Sequence, residues 1–239
     1  DDGVGGAPFL LHYQKGPDGS LAQTSYTRAQ FWKLVLRATD VLKSHLIGVD
    51  NCVAHYFSGN DPHDLVFRLA ATLLGAIPVT INWQADSYER IKYKINLTHA
   101  KVVLVDKSTP QQMLTQLNKE FGSDVQFLVA EEVLQQQQTT QATAVDYPTL
   151  KVNHPRIIIF TSGTTGNPKG VKLTYKNYRC NRRSFEQFLG IHATEVRVIF
   201  YFFGACCLLV STEQLFYCTL VAAFYRDKQL SECDGKIVA

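Results

Sequence analysis

The sequence predicts an α/β fold in which helices pack on the faces of layered, largely parallel sheets. From residue 50 onward, short β-branched or apolar runs alternate with longer segments of helical periodicity, the pattern of βαβ units. The unbroken Val-Val-Leu-Val within residues 101–105 is typical of a strand buried on both faces. Asp61 followed by Pro62 supplies a helix N-cap and a proline that fits the first helical turn.

The predicted elements follow one another in a regular order. An amphipathic helix comes first, because apolar residues between positions 27 and 44 recur at helical spacing. Strands are predicted at 52–57, 77–81, 101–105, 125–129, 156–160 and 171–173. The helices between them are predicted from the Asp61 cap to about Gly75, at 87–97, from a Ser108 cap to Phe121, and from a Thr174 cap to about Leu189.

The composition is that of a globular protein and argues against two kinds of function. The chain has 239 residues, of which 46% are hydrophobic and 19% charged, so it can bury a core. A formal net charge of +3 is too small to indicate nucleic-acid binding. The six cysteines contain no Cys-x-x-Cys pair, which favours reduced thiols over a zinc site or a disulfide framework. We therefore expect no nucleic-acid partner and no metal site built from protein ligands.

The segment between Phe160 and Gly170 carries the most chemistry. Its glycines let backbone N–H groups approach anionic oxygens, its hydroxyls can donate hydrogen bonds or contact Mg²⁺, and its lysine is a compact cation. This composition suits a polyphosphate, although the same residue types also build ordinary turns between strands. The loop of P-loop NTPases does not fit, because counting from Gly163 places Pro168 where that motif requires glycine. No Gly-x-Gly-x-x-Gly dinucleotide fingerprint occurs either.

Residues 158–169, Ile-Ile-Phe-Thr-Ser-Gly-Thr-Thr-Gly-Asn-Pro-Lys, resemble the signature of the adenylate-forming (AMP-binding) superfamily at every position. This superfamily includes acyl-CoA synthetases, aryl-CoA ligases, luciferases and the adenylation domains of peptide synthetases. The similarity extends over about residues 20–190, through Tyr26, the Gly-Ala-Ile-Pro-Val segment at 75–79 and the strand at 100–105. Tyr175 departs from the pattern, because the family commonly has a histidine at this position.

The resemblance implies both a fold and a reaction. It implies the N-terminal domain of an AMP-forming acid–thiol ligase, such as an acyl-CoA synthetase of fatty acid metabolism. In such enzymes a carboxylate attacks the α-phosphorus of Mg-ATP, giving an acyl-adenylate and pyrophosphate, and a thiol or amine then takes the acyl group. The substrate implied is a small-molecule carboxylic acid, the cofactors are ATP and Mg²⁺, and the acceptor is coenzyme A or, alternatively, a carrier-protein phosphopantetheine.

The resemblance also implies which residues bind the ATP phosphates: Thr161, Ser162, Gly163, Thr164, Thr165, Gly166 and Lys169. No catalytic residue can be assigned. The family's aromatic-Gly-x-Thr-Glu segment, its ribose-binding aspartate motif and its lid lysine have no counterpart in this sequence.

The sequence predicts two regions. Residues 1–195 are expected to form a partial, truncated N-terminal domain with a polar loop at about 131–151, and residues 196–239 a divergent apolar tail. Since members of the family run to about twice this length or more, we expect an incomplete fragment or isoform that does not turn over alone. The alternative is a catalytically inactive protein of the same fold that binds a nucleotide or a partner.

The tail also bears on location. Glu213 and Gln214 interrupt its apolar run, which leaves fewer than the roughly 20 residues that a membrane span requires. We therefore expect a soluble protein of the cytoplasm or of an organelle lumen.

Overall fold

The computed structural model describes residues 8–16, 18–58, 61–136, 147–161 and 167–189. Its strands and helices are, in chain order, β1 (Pro8–Lys15), β2 (Leu21–Thr27), α1 (Arg28–Ser44), β3 (Cys52–Tyr56), α2 (Pro62–Leu73), β4 (Ile77–Thr80), α3 (Tyr88–Thr98), β5 (Val102–Val105), α4 (Gln111–Phe121), β6 (Gln126–Val129), α5 (Ala130–Gln136), β7 (Pro155–Phe160), β8 (Gly170–Thr174) and α6 (Tyr175–Leu189). The chain divides into two compact units, Asp1–Lys172 and Leu173–Ala239.

The structure contains a mainly parallel sheet of six strands. Its order is β6-β5-β3-β4-β7-β8, and β3 pairs in parallel with both β4 and β5. Ala54 of β3 lies opposite Val79 of β4 on one side and Val103 of β5 on the other. The predicted α/β class with a parallel sheet is confirmed.

The chain changes direction across this sheet after β4. It moves from β3 to β4 on one side and then crosses back to β5 on the other, so a topological switch point lies between β3 and β5. Because parallel crossovers are right-handed, this reversal places α2 and α3 on opposite faces of the sheet. The sheet is therefore covered on both faces, which explains why β3 and β5 are buried along their whole length.

The face covered by α3 and α4 holds one continuous hydrophobic cluster. Ile91 and Ile95 of α3 and Leu117 of α4 join the alternate residues of the strands that point to this side. The cluster continues to the end of β7, where Ile158 and Phe160 are buried.

Two predicted helix starts are confirmed in atomic detail. Thr27 and Gln30 form a capping box at the start of α1, in which each side chain bonds the other residue's backbone N–H. At α2, the Asp61 carboxylate accepts from the His63 N–H at 2.8 Å and Pro62 occupies the first turn.

The predicted Ser108 cap of α4 is wrong. The helix begins at Gln111 with Pro110 in the N-cap position, and no side chain caps it. Ser108 lies two residues before that position, and its hydroxyl donates to the buried Asp106 carboxylate at 2.7 Å.

Two further segments differ from the sequence-based expectation. The first described residues form an antiparallel hairpin, β1–β2, that the periodicity does not predict, and its Leu11, Tyr13 and Leu21 are exposed. The predicted polar loop at about 131–151 starts later than expected, because α5 occupies Ala130–Gln136. Residues 137–146 and the predicted tail at 196–239 lie outside the described residues.

None of the helices that the structure describes is both long and apolar enough to cross a membrane.

Candidate functional site

The two ends of the predicted phosphate loop meet at the end of β7. The Thr161 N–H donates to the Lys169 carbonyl at 3.0 Å, and the Thr161 hydroxyl approaches the same oxygen at 3.4 Å. Both residues are exposed. The predicted strand–loop–strand arrangement is confirmed by β7 and β8, whereas Ser162, Gly163, Thr164, Thr165 and Gly166 lie outside the described residues.

Gly170 allows β8 to begin close against β7. A Cβ atom at this position would lie 3.2 Å from the Ile158 Cγ2 atom and 3.4 Å from the Phe160 ring. The first contact is tighter than ordinary van der Waals packing, so the Ile158 side chain would have to shift by a few tenths of an ångström to admit a side chain at position 170. Pro168 is buried at the same turn. The loop therefore returns to the sheet beside the side chains of Ile158 and Phe160, where glycine fits without displacing either of them.

The loop leaves the sheet at the edge where ligands commonly bind in this class of fold. Since β7 runs parallel to β4, Thr161 emerges at the same carboxyl edge as the residues that follow β3, β4 and β5. In open α/β sheets, ligands bind outside the carboxyl ends of the strands.

A buried ion pair lies beside the end of β7. Lys94 of α3 pairs with Asp86, and their side chains are only 5% and 4% exposed. The Asp86 carboxylate also accepts from the Asn82 N–H at 2.7 Å. The Lys94 Nζ atom lies 4.8 Å from the centroid of the Phe160 ring, a cation–π distance. The pair thus connects the loop after β4 with the last residue of β7.

A carboxylate at the switch point joins the loops that follow β3 and β5. Asp106 accepts from the Ser58 N–H at 2.5 Å and the Ser58 hydroxyl at 2.8 Å. It also accepts from the Ser108 N–H at 3.0 Å, the Ser108 hydroxyl at 2.7 Å and the Thr109 hydroxyl at 3.2 Å. Five donors on a buried carboxylate fix these two loops relative to each other.

A cavity of about 340 Å³ opens beside these loops; its lining is Tyr56, Ser58, Trp83, Asp86, Ser108, Thr109, Pro110 and Met113. Burial, followed by the charges of Asp106 and Asp86, raises the pKa of Tyr56, so its hydroxyl stays protonated. The Trp83 indole N–H is buried without a partner among the described residues. The described residues of this lining include no lysine or arginine, so they suit an uncharged group with hydrogen-bond acceptors better than an anion.

The opposite face of β3 holds a separate polar network with α2. His55 Nδ1 lies 2.7 Å from Asp64, Arg68 Nε donates to both Asp64 oxygens at 2.8 and 3.0 Å, and Arg68 Nη1 donates to Thr80 at 3.0 Å. Burial, with the Arg68 charge, lowers the pKa of His55 to about 4. Burial would raise the pKa of Asp64, but Arg68 and His55 outweigh it and lower that pKa to about 2. The network is thus a neutral imidazole beside an ionised pair.

The sequence does not by itself single out Lys94, Asp86 or Asp106. Asp106 directly follows the apolar run of β5, and a polar residue at the carboxyl end of a parallel strand is a signal that could have identified it. Lys94 lies between Ile91 and Ile95 on the buried side of α3, where a charged residue is unusual. Among the described residues, no group of three or more histidine, cysteine or acidic side chains could hold a metal ion.

Comparison with known proteins assigns the chain to a family. The family model described as "AMP-binding enzyme" matches residues 13–220. The long-chain-fatty-acid–CoA ligase of Rattus norvegicus is 24% identical over 217 residues, which covers 80% of this chain and 30% of that protein. Tyrocidine synthase 1 of Brevibacillus parabrevis is 30% identical over 115 residues, 48% of this chain and 10% of that protein.

Solved structures share the fold at low sequence identity. An o-succinylbenzoate coenzyme A synthetase of Bacillus subtilis in complex with AMP has a TM-score of 0.67 and 19% identity, covering 84% of this chain and 48% of that one. The same synthetase in complex with ATP and a magnesium ion gives a TM-score of 0.65 and 18% identity, covering 84% and 50%.

The chain spans 30% or less of the two curated relatives described above and about half of these solved chains. Its sheet and helices match the N-terminal domain of adenylate-forming enzymes. With the family model matched over most of the sequence, this chain belongs to the AMP-binding enzyme family of AMP-forming ligases.

Proposed function

We propose that this chain supplies the part of an AMP-forming ligase that binds the phosphates of ATP while a carboxylic acid is activated. The main support is the strand–loop–strand unit between β7 and β8, whose ends are joined by the Thr161–Lys169 hydrogen bond at the carboxyl edge of the sheet. This edge is where an open α/β sheet receives ligands.

The proposed phosphate-binding residues are Thr161, Ser162, Gly163, Thr164, Thr165, Gly166 and Lys169. Backbone N–H groups and hydroxyls would bind the phosphate oxygens, and the exposed Lys169 ammonium would add a positive charge beside them. Mg²⁺ would arrive with ATP and neutralise further charge; a solved structural relative was obtained with both. These residues would position the phosphates and neutralise their charge, and none of them needs to transfer a proton.

The reaction would proceed in two transfers. A carboxylate oxygen attacks the α-phosphorus, the bond to the β-phosphate oxygen breaks, and pyrophosphate leaves from the acyl-adenylate. A thiolate then attacks the acyl carbon and AMP leaves. Coenzyme A is the proposed acceptor, and a carrier-protein phosphopantetheine is the alternative, since the similar proteins include a CoA ligase and a peptide synthetase.

The cavity at the switch point would hold an uncharged part of a substrate or acceptor. Its Tyr56 hydroxyl and Trp83 N–H can donate, while Met113 and Pro110 offer apolar contact. The carboxylate or phosphate end of such a molecule would lie elsewhere, because Asp86 and Asp106 make this space unfavourable for an anion.

Exchange of labelled pyrophosphate into ATP tests this function. The full chain is incubated with Mg-ATP and a panel of short, long and aromatic carboxylic acids. Exchange that depends on one acid supports adenylation and identifies the substrate class. ATP binding without exchange under any acid would instead support a nucleotide-binding protein that is catalytically inactive. A folded chain that neither exchanges nor binds Mg-ATP would refute the proposal.

A further inference from the structure

The Lys94–Asp86 pair is buried between the apolar cluster of this face and the cavity that Asp86 helps to line. Both side chains are at most 5% exposed, and Ile91, Ile95 and Phe160 of the same face are also buried. The nearby Lys92–Glu120 pair, which starts from the same helix, is 32% and 38% exposed. Helix α3 thus carries one ion pair in the core and one at the surface.

A buried ion pair needs a reason other than stability. Removing two charges from water is costly, and their mutual attraction often does no more than offset that cost. Apolar residues of similar size would pack into this cluster at least as well. The pair orients the Lys94 ammonium. Asp86 accepts from both Lys94 and the Asn82 N–H, so the carboxylate is held in place and fixes the position of the ammonium.

The ammonium points at the residue from which the phosphate loop starts. Its Nζ atom lies 4.8 Å from the Phe160 ring centroid. Phe160 is followed directly by Thr161, whose N–H bonds the Lys169 carbonyl. The same ring lies beside the residue after Lys169, because a Cβ at Gly170 would be 3.4 Å from its nearest atom. One aromatic residue therefore precedes Thr161 in the chain and lies beside Gly170, which follows Lys169, and the Lys94 ammonium lies over its ring.

From this geometry we propose that Lys94, oriented by Asp86, is a positioning residue that fixes Phe160 and thereby the two ends of the phosphate loop, Thr161 and Lys169. Its consequence for nucleotide binding rests on the proposed function. The restraint itself does not, because the Thr161–Lys169 hydrogen bond reports on it without any ligand.

Amide hydrogen exchange of the full chain without nucleotide tests the restraint. Lys94→Met keeps the length of the side chain and removes the charge, so the Thr161 amide should exchange about fivefold faster while Val103 in β5 is unchanged. Lys94→Arg should return exchange to the parent rate, since it keeps a cation over the ring. Lys92→Met is the matched control on the same helix and should change neither amide. Equal Thr161 exchange in Lys94→Met and the parent would overturn the proposal.

A second variant covers the case in which Lys94→Met also loosens the core. Phe160→Leu keeps an apolar side chain and removes the ring face, so it should accelerate Thr161 exchange by itself. In that background Lys94→Met should add nothing further, because its partner is gone. Additive effects of the two substitutions on Thr161 exchange would overturn the proposal as well.

Mg-ATP affinity, measured by calorimetry, separates this inference from the proposed function. If the parent binds, Lys94→Met should weaken binding about fivefold and Lys92→Met should not. Faster Thr161 exchange with unchanged Mg-ATP affinity would show that the position of the loop ends does not affect nucleotide binding. A folded parent that does not bind Mg-ATP would contradict the proposed function, and the exchange data would still decide whether Lys94 positions the loop ends.

Discussion

At the scale of single residues, Asp106 has a defined structural task. Its two oxygens accept five hydrogen bonds from Ser58, Ser108 and Thr109, and the side chain is buried. These donors occupy its acceptor sites. It holds the loops after β3 and β5 together at the switch point.

The substitution Asp106→Asn should therefore destabilise the fold. One carboxylate oxygen becomes an NH₂ group that faces donors, which leaves at least one buried donor without an acceptor and should cost about 2–3 kcal/mol. Urea denaturation monitored by circular dichroism measures the change. Asp124→Asn, at an exposed position, is the control and should change the free energy of unfolding little. Equal stability of the two variants would show that Asp106 is not the link described.

Lys169, in contrast to Asp106, is expected to matter for ATP binding and not for stability. Its side chain is exposed, so Lys169→Ala should leave the free energy of unfolding within about 0.5 kcal/mol of the parent. Loss of a cation beside the phosphates should weaken Mg-ATP binding about tenfold. Calorimetry of the variant, with the exposed Lys101→Ala as control, checks both expectations. Unchanged affinity in Lys169→Ala would remove this residue from the proposed site.

The sequence predicts those features of the site whose residues lie close together in the chain. The strand–loop–strand unit between Phe160 and Gly170 is readable because its residue types lie next to one another. The contact of Lys94 with Phe160 spans distant parts of the chain and is created by the packing of α3 against β7. No pattern within either segment predicts it.

At the scale of elements, β3, α2 and β4 share the buried His55–Asp64–Arg68–Thr80 network. His55 is fully buried, and its Nδ1 lies 2.7 Å from Asp64, which suits a neutral ring that donates to the carboxylate. Its Nε2 atom has no partner among the described residues. Burial disfavours a charge on this ring, and protonation would also place that positive charge beside the Arg68 guanidinium; together these effects lower the pKa of His55.

This network should make the fold sensitive to acid. The pKa of His55 falls from 6.5 to about 4 on folding, so the unfolded chain binds more protons between these values and stability decreases as pH falls. The expected loss between pH 7 and pH 4 is about 3 kcal/mol. Asp64, whose pKa is lowered from 3.8 to about 2, adds a loss only at still lower pH.

Urea denaturation at several pH values checks this expectation. His55→Asn can still donate to Asp64 but cannot titrate, so its stability should depend less on pH between 4 and 6.5. His99→Asn is the control, because His99 is exposed and lies in a left-handed conformation that asparagine tolerates. If His55→Asn and the parent showed the same pH slope, the imidazole would not be the group responsible.

Helix starts show how far element prediction reaches. Asp61 is recognised because a cap acts on backbone groups two or three residues away. The start of α1 is predicted only from the helical spacing of its apolar residues, and the Thr27–Gln30 capping box is not. Ser108 has the residue type of a cap, but its N–H and hydroxyl both donate to Asp106 in the turn before the helix. The cap prediction failed there because this turn occupies Ser108 and the helix begins only at Gln111.

At the scale of the whole molecule, the fold class follows from the alternation of strands and helices, whereas the strand order does not. The periodicity of the sequence predicts that β3, β4 and β5 are buried. It does not predict that β5 pairs with β3 on the side opposite β4. That choice is made by the packing of α3 against the face opposite α2. The β1–β2 hairpin was missed for a related reason, because its exposed strands show little apolar alternation.

The same topology predicts how local stability is distributed. Strand β3 has a hydrogen-bonded neighbour on each side and is buried throughout, so its amides can exchange only when the sheet opens. The hairpin pairs only β1 with β2 and exposes most of β2, so fluctuations of a single ladder expose its amides. We expect the Ala54 amide to exchange at least about 100-fold more slowly than the Gln23 amide in the full chain. Similar rates would mean that hairpin and sheet open as one cooperative unit, and that the hairpin is held by more than its own ladder.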